Sequence, residues 1–305
     1  MLREAQIFTC VPDGLLALLT ERLPTSLSIL RRLQLAARDA GSAPNARIIL
    51  VSDSGGLGGR SAKPRAFTVV YANFSVSTET QMFMYSTLED KSRGAISDDD
   101  RSEHEAQLDH VMEALIRLRT ELDPESVYPS CLLLGSVHSD VRAIIEKSGR
   151  VRPRPSGDYD KWLFRVEDLP QSESPLPEGM HWRGTTLADC ELVVSRTDIP
   201  RTAETLSALP SLMVKLEDET PVAWAFLGID GSLISLHCED GYRRRGLAKR
   251  VAAKLLRENA SADGWSSADV SGENVASRAM CKSLGGKPRW VVSWLLLDLA
   301  EEVKI

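Results

Sequence analysis

The most constraining feature of this sequence is an order of elements that occurs in both halves of the chain. In each half, apolar periodicity predicts a helix, three strands, a helix, a strand, a helix and a final strand. The segment DLPQSESPLPEG at 168–179 separates the halves and is typical of a linker. We therefore expect two copies of one α/β fold, with domains at 1–167 and 181–305 and a linker at 168–180.

The composition excludes several classes of function. The formal net charge is −6, which argues against a dedicated nucleic-acid binder. No apolar run approaches the roughly 18–20 residues that cross a bilayer, and the N-terminus lacks the apolar region of a secretory signal, so we expect no membrane partner. The five cysteines (Cys10, Cys131, Cys190, Cys238 and Cys281) are scattered without a CxxC pair. This usage favours reduced thiols in the cytoplasm over a disulfide framework or a zinc site.

A cationic turn and helix occupy 241–257, GYRRRGLAKRVAAKLLR, inside this acidic chain. The bases begin before the helix, beside Gly246, where unpaired N–H groups and the helix dipole attract anions. A bound pyrophosphate would relieve the repulsion between these bases and the helix; a solvated basic face is the alternative interpretation. The segment contains no GxGxxG, and the glycines of 55–59 lack the GK[ST] of a P-loop, so we interpret that stretch as a flexible loop.

Two segments resemble motifs of the GNAT superfamily of N-acetyltransferases. LHCEDGYRRRGLA at 236–248 resembles its acyl-CoA signature, Arg/Gln-x-x-Gly-x-Gly/Ala, and ENVASRAMCKSLGGK at 273–287 is similar to its later Asn-x-x-Ser helix. The matching residues are Arg243, Gly246, Ala248, Asn274, Ser277, Leu284 and Gly285.

The resemblance extends to the glycine N-acyltransferase-like branch of the superfamily. It includes PVAWAFLGIDGSL at 221–233 and the closing strand RWVVSWLLLDL, and more faintly ERLPTSLSILRRL at 21–33. It implies tandem GNAT-like folds, each a mixed, mostly antiparallel sheet flanked by helices. The first copy would be degenerate and the second catalytic.

The resemblance implies an acyl-CoA as co-substrate and no metal. The strand at Leu233–Cys238 would pair with the pantetheine arm, and an N–H near Leu236 or Cys238 would polarise the thioester carbonyl. Backbone N–H groups from Arg244 to Lys249 would hold the pyrophosphate. The implied CoA contacts are Leu236, Cys238, Arg243, Arg244, Arg245, Gly246, Leu247, Ala248, Lys249, Asn274 and Ser277.

The first copy lacks this machinery at the matching turn. Lys91 and Gly94 are a possible remnant of the spacing, and Asp98–Asp100 then place negative charge where phosphates would lie. We expect no CoA binding there, and instead a role in shaping the acceptor site or a dimer. His104 and His110 lack the HExxH spacing of a zinc site and are expected on a solvated helix face.

The general base is open, because relatives carry a glutamate where Gly241 precedes Tyr242. His237 and Glu239 are the candidates; the alternatives are a packed strand histidine and a solvated turn carboxylate. Cys281 occupies the position of the tyrosine that serves related enzymes as the acid, although a helix cysteine is more often a packed apolar residue.

Arg196 and Arg201 precede the first strand of the second half, in a region that borders the acceptor in this superfamily. Either guanidinium could bind an acceptor carboxylate, and an ordinary surface arginine is the alternative.

The function we expect is direct acyl transfer in a ternary complex, from acetyl-CoA or a longer or aromatic acyl-CoA to a small amine or amino acid. A CoA-binding protein with little transferase activity and a protein or peptide N-acetyltransferase remain alternatives. We expect a monomer or homodimer.

Overall fold

The structure is a computed structural model that describes residues 4–39, 41, 43–54, 57, 63–75, 78–91, 96–122, 127–128, 130–154, 157–171 and 175–301. The chain divides into two compact units. One comprises Met1–Asp158 together with Val291–Ile305, and the other comprises Tyr159–Trp290. These bounds differ from the expected division at the linker, residues 168–180. The composition of a linker does not determine which segments pack into one unit, because strand pairing brings distant segments together. Most of the glycine-rich stretch at 55–59, and Gly94, lie outside the described residues.

The expected elements occur in the expected order, together with three short strands that the sequence did not predict, at Gln6–Phe8, Val151–Arg152 and Met180–Arg183. The strands are β1 (Gln6–Phe8), β2 (Ala46–Ser52), β3 (Phe67–Asn73), β4 (Met82–Ser86), β5 (Cys131–His138), β6 (Val151–Arg152), β7 (Asp158–Arg165), β8 (Met180–Arg183), β9 (Ser211–Leu216), β10 (Pro221–Leu227), β11 (Leu233–Cys238), β12 (Trp265–Ser271) and β13 (Lys287–Asp298). The α-helices are α1 (Leu15–Thr20), α2 (Leu27–Arg38), α3 (Asp98–Leu122), α4 (Ser139–Lys147), α5 (Leu187–Ser195), α6 (Ala203–Ser207), α7 (Leu247–Glu258) and α8 (Val275–Ser283).

The sheet of the first unit is mostly antiparallel. β1, β2, β3 and β4 pair antiparallel in that order, and β5 runs parallel to β4, with Met82 opposite Leu134. The chain's last strand, β13, then pairs antiparallel with β5 from Val292 to Asp298. The sheet of the first unit therefore includes β13, a strand from the other end of the sequence.

Both faces of this sheet are covered by helices. Alternation along β3 sends Val70 and Ala72 into the core beneath α3 and α4. Phe67, Val69 and Tyr71 are buried as well, on a strand that neighbours α2. When a sheet is covered on both faces, the sequences of its strands are continuous runs of apolar residues, and β2 to β5 have this pattern.

His104 is buried, contrary to the expected solvated position. It lies four residues before Leu108, on the same stripe of α3 as Val111 and Leu115, so the helix carries it into the core. Its Nε2 lies 3.1 Å from the Oγ1 of Thr87, and burial lowers the pKa of the imidazole.

The second unit contains two groups of strands. β8, β9, β10 and β11 form an antiparallel sheet, and β7 and β12 pair antiparallel with each other outside this sheet. Ser232, directly before β11, forms an isolated parallel bridge with Ser267 of β12, and no ladder joins β11 to β12 among the described residues. β11 is therefore an edge strand over most of its length.

Helices also cover both faces of the sheet in the second unit. The apolar stripe of α7, including Leu247, Val251 and Leu255, packs on one face. On the other face, Cys190 of α5 and Leu206 of α6 pack against buried side chains of β10. The predicted helical region before β9 is thus two helices, separated by the segment at 196–202.

The described residues include no helix long and apolar enough to cross a membrane.

Candidate functional site

The open edge of β11 is the first component of the candidate site. Every residue of β11 after Leu233 is only half-buried, whereas the neighbouring β10 is buried from Val222 onward. The N–H of Glu239 donates to the carbonyl oxygen of Val222 at 2.9 Å. Because hydrogen-bonding direction alternates along a strand, the N–H groups of Cys238 and Leu236 point away from β10. These are the N–H groups that the sequence indicated for the thioester carbonyl.

A β-bulge shapes this edge. Trp224 pairs with His237, but Phe226 pairs with Ile234, so two residues of β11 oppose one residue of β10. Ser235 lies in the bulge with φ at +50°, in the left-handed region that a non-glycine residue seldom adopts. The bulge interrupts the regular pleat at the point where the two candidate N–H groups begin.

The turn after β11 carries the second component, a run of free backbone donors. Both Arg244, at φ +63°, and Gly246, at φ +74°, have left-handed backbones, and α7 begins directly after Gly246 without a side-chain cap. The N–H groups from Arg244 to Lys249 donate to no described residue; the first helical bond joins the Arg250 N–H to the Gly246 carbonyl oxygen. Such a run at a helix N-terminus binds phosphate groups.

The basic side chains of this turn divide into two groups. Arg243 bends back, its Nε donating to the Cys238 carbonyl oxygen at 3.0 Å and its guanidinium pairing with Asp240 at 2.8 Å. Arg245 donates to the Gly241 carbonyl oxygen and lies over the Tyr242 ring. The exposed Arg244 makes no such contact among the described residues, so its charge is available to a ligand.

Two of the implied CoA contacts, Asn274 and Leu247, also stabilise the fold through their side chains. The Oδ1 of Asn274 accepts the N–H of Ser277 at 3.0 Å, which caps α8. Leu247 is buried in the core and presents only its backbone to the turn, whereas Ala248 is half-exposed.

Cys281 lies in the apolar core rather than at the surface of the cleft. It is 4% exposed, and burial raises the pKa of its thiol to about 12. A thiol in this environment is a poor proton donor to a departing thiolate of lower pKa. Of the two interpretations that the sequence left open for Cys281, burial favours the packed apolar side chain over the acid.

The third component is a polar cluster at the end of β11, on the face covered by α5 and α6. His237 stacks on Trp224, with ring centroids 4.6 Å apart and planes inclined by 21°. The imidazole Nε2 lies 3.7 Å from the Oε2 of Glu239, which is beyond hydrogen-bond distance, and it bonds to no described residue. Both candidate bases thus lie side by side.

The two arginines of the α5–α6 segment reach this same cluster. The Nε of Arg196 donates to the Oε1 of Glu239 at 3.0 Å, and the Nη1 of Arg201 donates to the Oγ of Ser235 at 3.4 Å. The sequence placed these arginines near an acceptor but did not indicate their partners. It also missed Ser235 and Trp224, because neither a bulge nor a cross-strand stack has a pattern in one strand.

The corresponding turn of the first unit carries its own negative charge. Asp98–Asp100 form the first turn of α3, and Ser97 accepts the N–H of Asp100 at 3.1 Å. Lys91 pairs with Asp100 at 2.6 Å. The lysine therefore already has an anionic partner, and the helix N-terminus carries three acidic side chains of its own, so the absence of CoA binding there stays a prediction with a structural basis.

The described residues contain no group of three or more histidine, cysteine or acidic side chains arranged to hold a metal ion.

Comparison with known families gives two matches in sequence. The model described as the acyl-CoA N-acyltransferase verG N-terminal domain matches residues 5–162, just over half of the chain. The model described as FR47-like protein matches residues 213–295. The sequence matches no curated protein.

Solved structures with the same fold cover nearly the whole chain. A Drosophila protein shares 16% identity and a TM-score of 0.62, over 93% of this chain and 95% of that one. A tandem GNAT protein from the clavulanic acid biosynthesis pathway shares 10% identity and a TM-score of 0.53, over 99% of this chain and 100% of that one. The expected fold class, two GNAT-like folds in tandem, is confirmed.

Proposed function

Since the chain belongs to the family of the acyl-CoA N-acyltransferase verG N-terminal domain and has a tandem GNAT fold, we propose that its second half transfers an acyl group from a CoA thioester to the amine of a small molecule or amino acid. The first half, in this proposal, does not bind CoA.

The run of unpaired N–H groups from Arg244 to Lys249, next to the open edge of β11, carries this proposal. These donors suit a pyrophosphate, and the edge suits an extended arm that pairs as an additional strand. Arg244 and Lys249 add positive charge without a described partner. Arg243 supports the turn through Cys238 and Asp240 rather than binding the phosphates.

Transfer would proceed by direct attack. The amine nitrogen forms a bond to the thioester carbonyl carbon while the N–H of Leu236 or Cys238 stabilises the oxyanion. The C–S bond then breaks, and the amide and the CoA thiolate are the products. The proton lost by the amine passes to His237, which we favour as base because it stands beside this edge; the thiolate takes a proton from solvent.

Acceptor recognition would use the α5–α6 segment. Arg196 and Arg201 end beside the bulge and His237, where they would border an acceptor positioned for attack. A carboxylate-bearing amine would match their charge.

A CoA-binding protein with little transferase activity is the competing proposal. The ion pair between Arg196 and Glu239 favours it, because the pair withholds one candidate base from the acceptor. Binding without turnover across a broad amine panel would support this competitor.

The first experiment is calorimetric titration of the full chain with CoA, acetyl-CoA, an aromatic acyl-CoA and a long-chain acyl-CoA. Arg244→Glu should weaken CoA binding by about tenfold or more, which is about 1.4 kcal/mol. Arg289→Glu, the same change at an exposed arginine of β13, should leave the affinity unchanged. Equal affinities for both variants, or no binding by the native chain, would overturn the assignment of the turn.

Turnover is measured separately, as CoA thiol released in the presence of amine acceptors. Release that depends on both acyl-CoA and an amine would support the transferase, and a preference for peptides over small amines would redirect the proposal to a peptide acetylase.

A further inference from the structure

Glu239 stands between two partners and is bonded to one of them. Its Oε1 accepts from the Nε of Arg196 at 3.0 Å, while its Oε2 lies 3.7 Å from the Nε2 of His237. The first contact is a charge-assisted hydrogen bond, and the second is too long to be one. A displacement of less than 1 Å would exchange the two.

His237 is held in a position suited to that exchange. Its ring is stacked on the buried Trp224, which restricts rotation of the imidazole plane. Its Nε2 atom is buried, although the side chain as a whole is 24% exposed, and bonds to no described residue. Buried polar atoms are ordinarily bonded, so this nitrogen lacks the partner that Glu239 can provide.

Arg196 is the partner that a ligand can remove. It follows the last residue of α5, and its side chain is 43% exposed. Its contact with Glu239 uses a single N–H, whereas a free carboxylate can bind the guanidinium with two parallel bonds. An acceptor carboxylate would therefore compete favourably for Arg196.

We propose that an anionic acceptor switches Glu239 from Arg196 to His237, so that the base is oriented only when the acceptor is bound. This inference rests on the proposed function of the same site. After the switch, Glu239 accepts the Nε2–H of His237, which leaves Nδ1 as the atom that takes the proton of the amine. Glu239 is thus a positioning residue that acts through His237. Among the described residues, the charged groups that bond at this end of β11 are Glu239, Arg196 directly after α5, Arg201 from the α5–α6 segment, and Asp240 and Arg243 of the following turn.

The test reads the imidazole tautomer directly, by ¹⁵N NMR of the full chain at a fixed pH at which His237 is neutral. Arg196→Gln removes the competing partner of Glu239, so the population of the Nε2–H tautomer of His237 should at least double relative to the native chain. Arg196→Gln combined with Glu239→Gln should return the native distribution. Arg201→Gln, the same change at the neighbouring arginine, should leave it unaltered.

A kinetic arm tests the coupling to the acceptor. Two acceptor amines are compared, one that bears a carboxylate and one in which that carboxylate is a primary amide. The native chain should have the higher kcat/KM for the acceptor with the carboxylate. Arg196→Gln should reduce that preference at least tenfold and raise kcat for the amide.

The two arms separate the inferences. An unchanged tautomer in Arg196→Gln would overturn the switch, even in an active enzyme. A shifted tautomer in a chain that acylates no amine would refute the proposed function while the exchange of Glu239 between partners still stands.

Discussion

Asp189 and Lys215 form a buried ion pair in the second unit. Their charged groups are 2.7 Å apart, with the side chains 8% and 5% exposed. Asp189 also completes a capping box with Thr186 at the start of α5. Asp189, in the first turn of α5, therefore also neutralises the lysine of β9, and it anchors the helix that ends beside Arg196.

Asp189→Asn should destabilise the protein by about 3 kcal/mol, because the buried Lys215 keeps only the more distant carboxylate of Glu219, 3.9 Å away, as a counter-charge. Urea unfolding at pH 7 measures the loss. Glu191→Gln, on the exposed side of the same helix, is the control and should lie within about 0.5 kcal/mol of the native chain. If Asp189→Asn lost no more unfolding free energy than Glu191→Gln, the buried ion pair would not stabilise the protein.

The same pair predicts a pH dependence. Burial acts to raise the pKa of Asp189, but hydrogen bonds from Lys215 and Thr186 outweigh it, so its pKa lies below the ordinary value. The contribution to stability is therefore complete above the unfolded pKa of about 3.9 and disappears as the pH falls through the folded pKa. The difference in unfolding free energy between the native chain and Asp189→Asn should be constant from pH 7 to 5 and shrink below pH 4.

Among the elements, β11 combines an edge, a bulge and the start of the cationic turn. Its bulge depends on the left-handed backbone of Ser235. Its edge is open because, among the described residues, β12 pairs on this side only with Ser232, which precedes the strand. A regular strand paired on both sides would offer no backbone donors to a ligand. The element is therefore suited to binding because its pairing is incomplete.

Two substitutions at Ser235 test the bulge. Valine is β-branched and disfavours positive φ, so Ser235→Val should be less stable than Ser235→Gly by about 1–2 kcal/mol. Both variants lose the contact of Ser235 with Arg201, so that contact does not contribute to the difference between them. Equal unfolding free energies by chemical denaturation would rule out the left-handed conformation.

At the scale of the whole molecule, each unit uses a strand from the other half of the sequence. β13 from Val291 onward completes the sheet of the first unit, and residues 159–165 of β7 pair with β12 in the second. The two compact units therefore do not coincide with the two halves of the sequence. Expressing 181–305 alone would leave β12 without its partner.

Truncation after Trp290 should destabilise the first unit, although it removes only the end of the chain. Hydrogen exchange of the β5 amides reports this directly, because β13 is their antiparallel partner, and protection should fall at least tenfold. Truncation after Glu301 retains all of β13 and should preserve protection. Protected β5 amides in the shorter chain would show that β13 is dispensable.

The sequence by itself determined the features that arise from neighbouring residues. The order of the expected helices and strands, the cationic turn before α7 and the acidic first turn of α3 follow from local periodicity and local charge. The GNAT motifs are also local, which is why the turn of the candidate site was predicted from the resemblance of residues 236–248 and 273–287.

Only the tertiary structure decided which distant residues meet. The burial of Cys281 and His104, the contact of Arg196 with Glu239 and the exchange of β7 and β13 depend on how faces and strand edges are paired across the chain. Residues far apart in sequence compete for the same face or edge, and packing and pairing energies over the whole fold select among them. A pattern within one segment cannot contain the result of that competition.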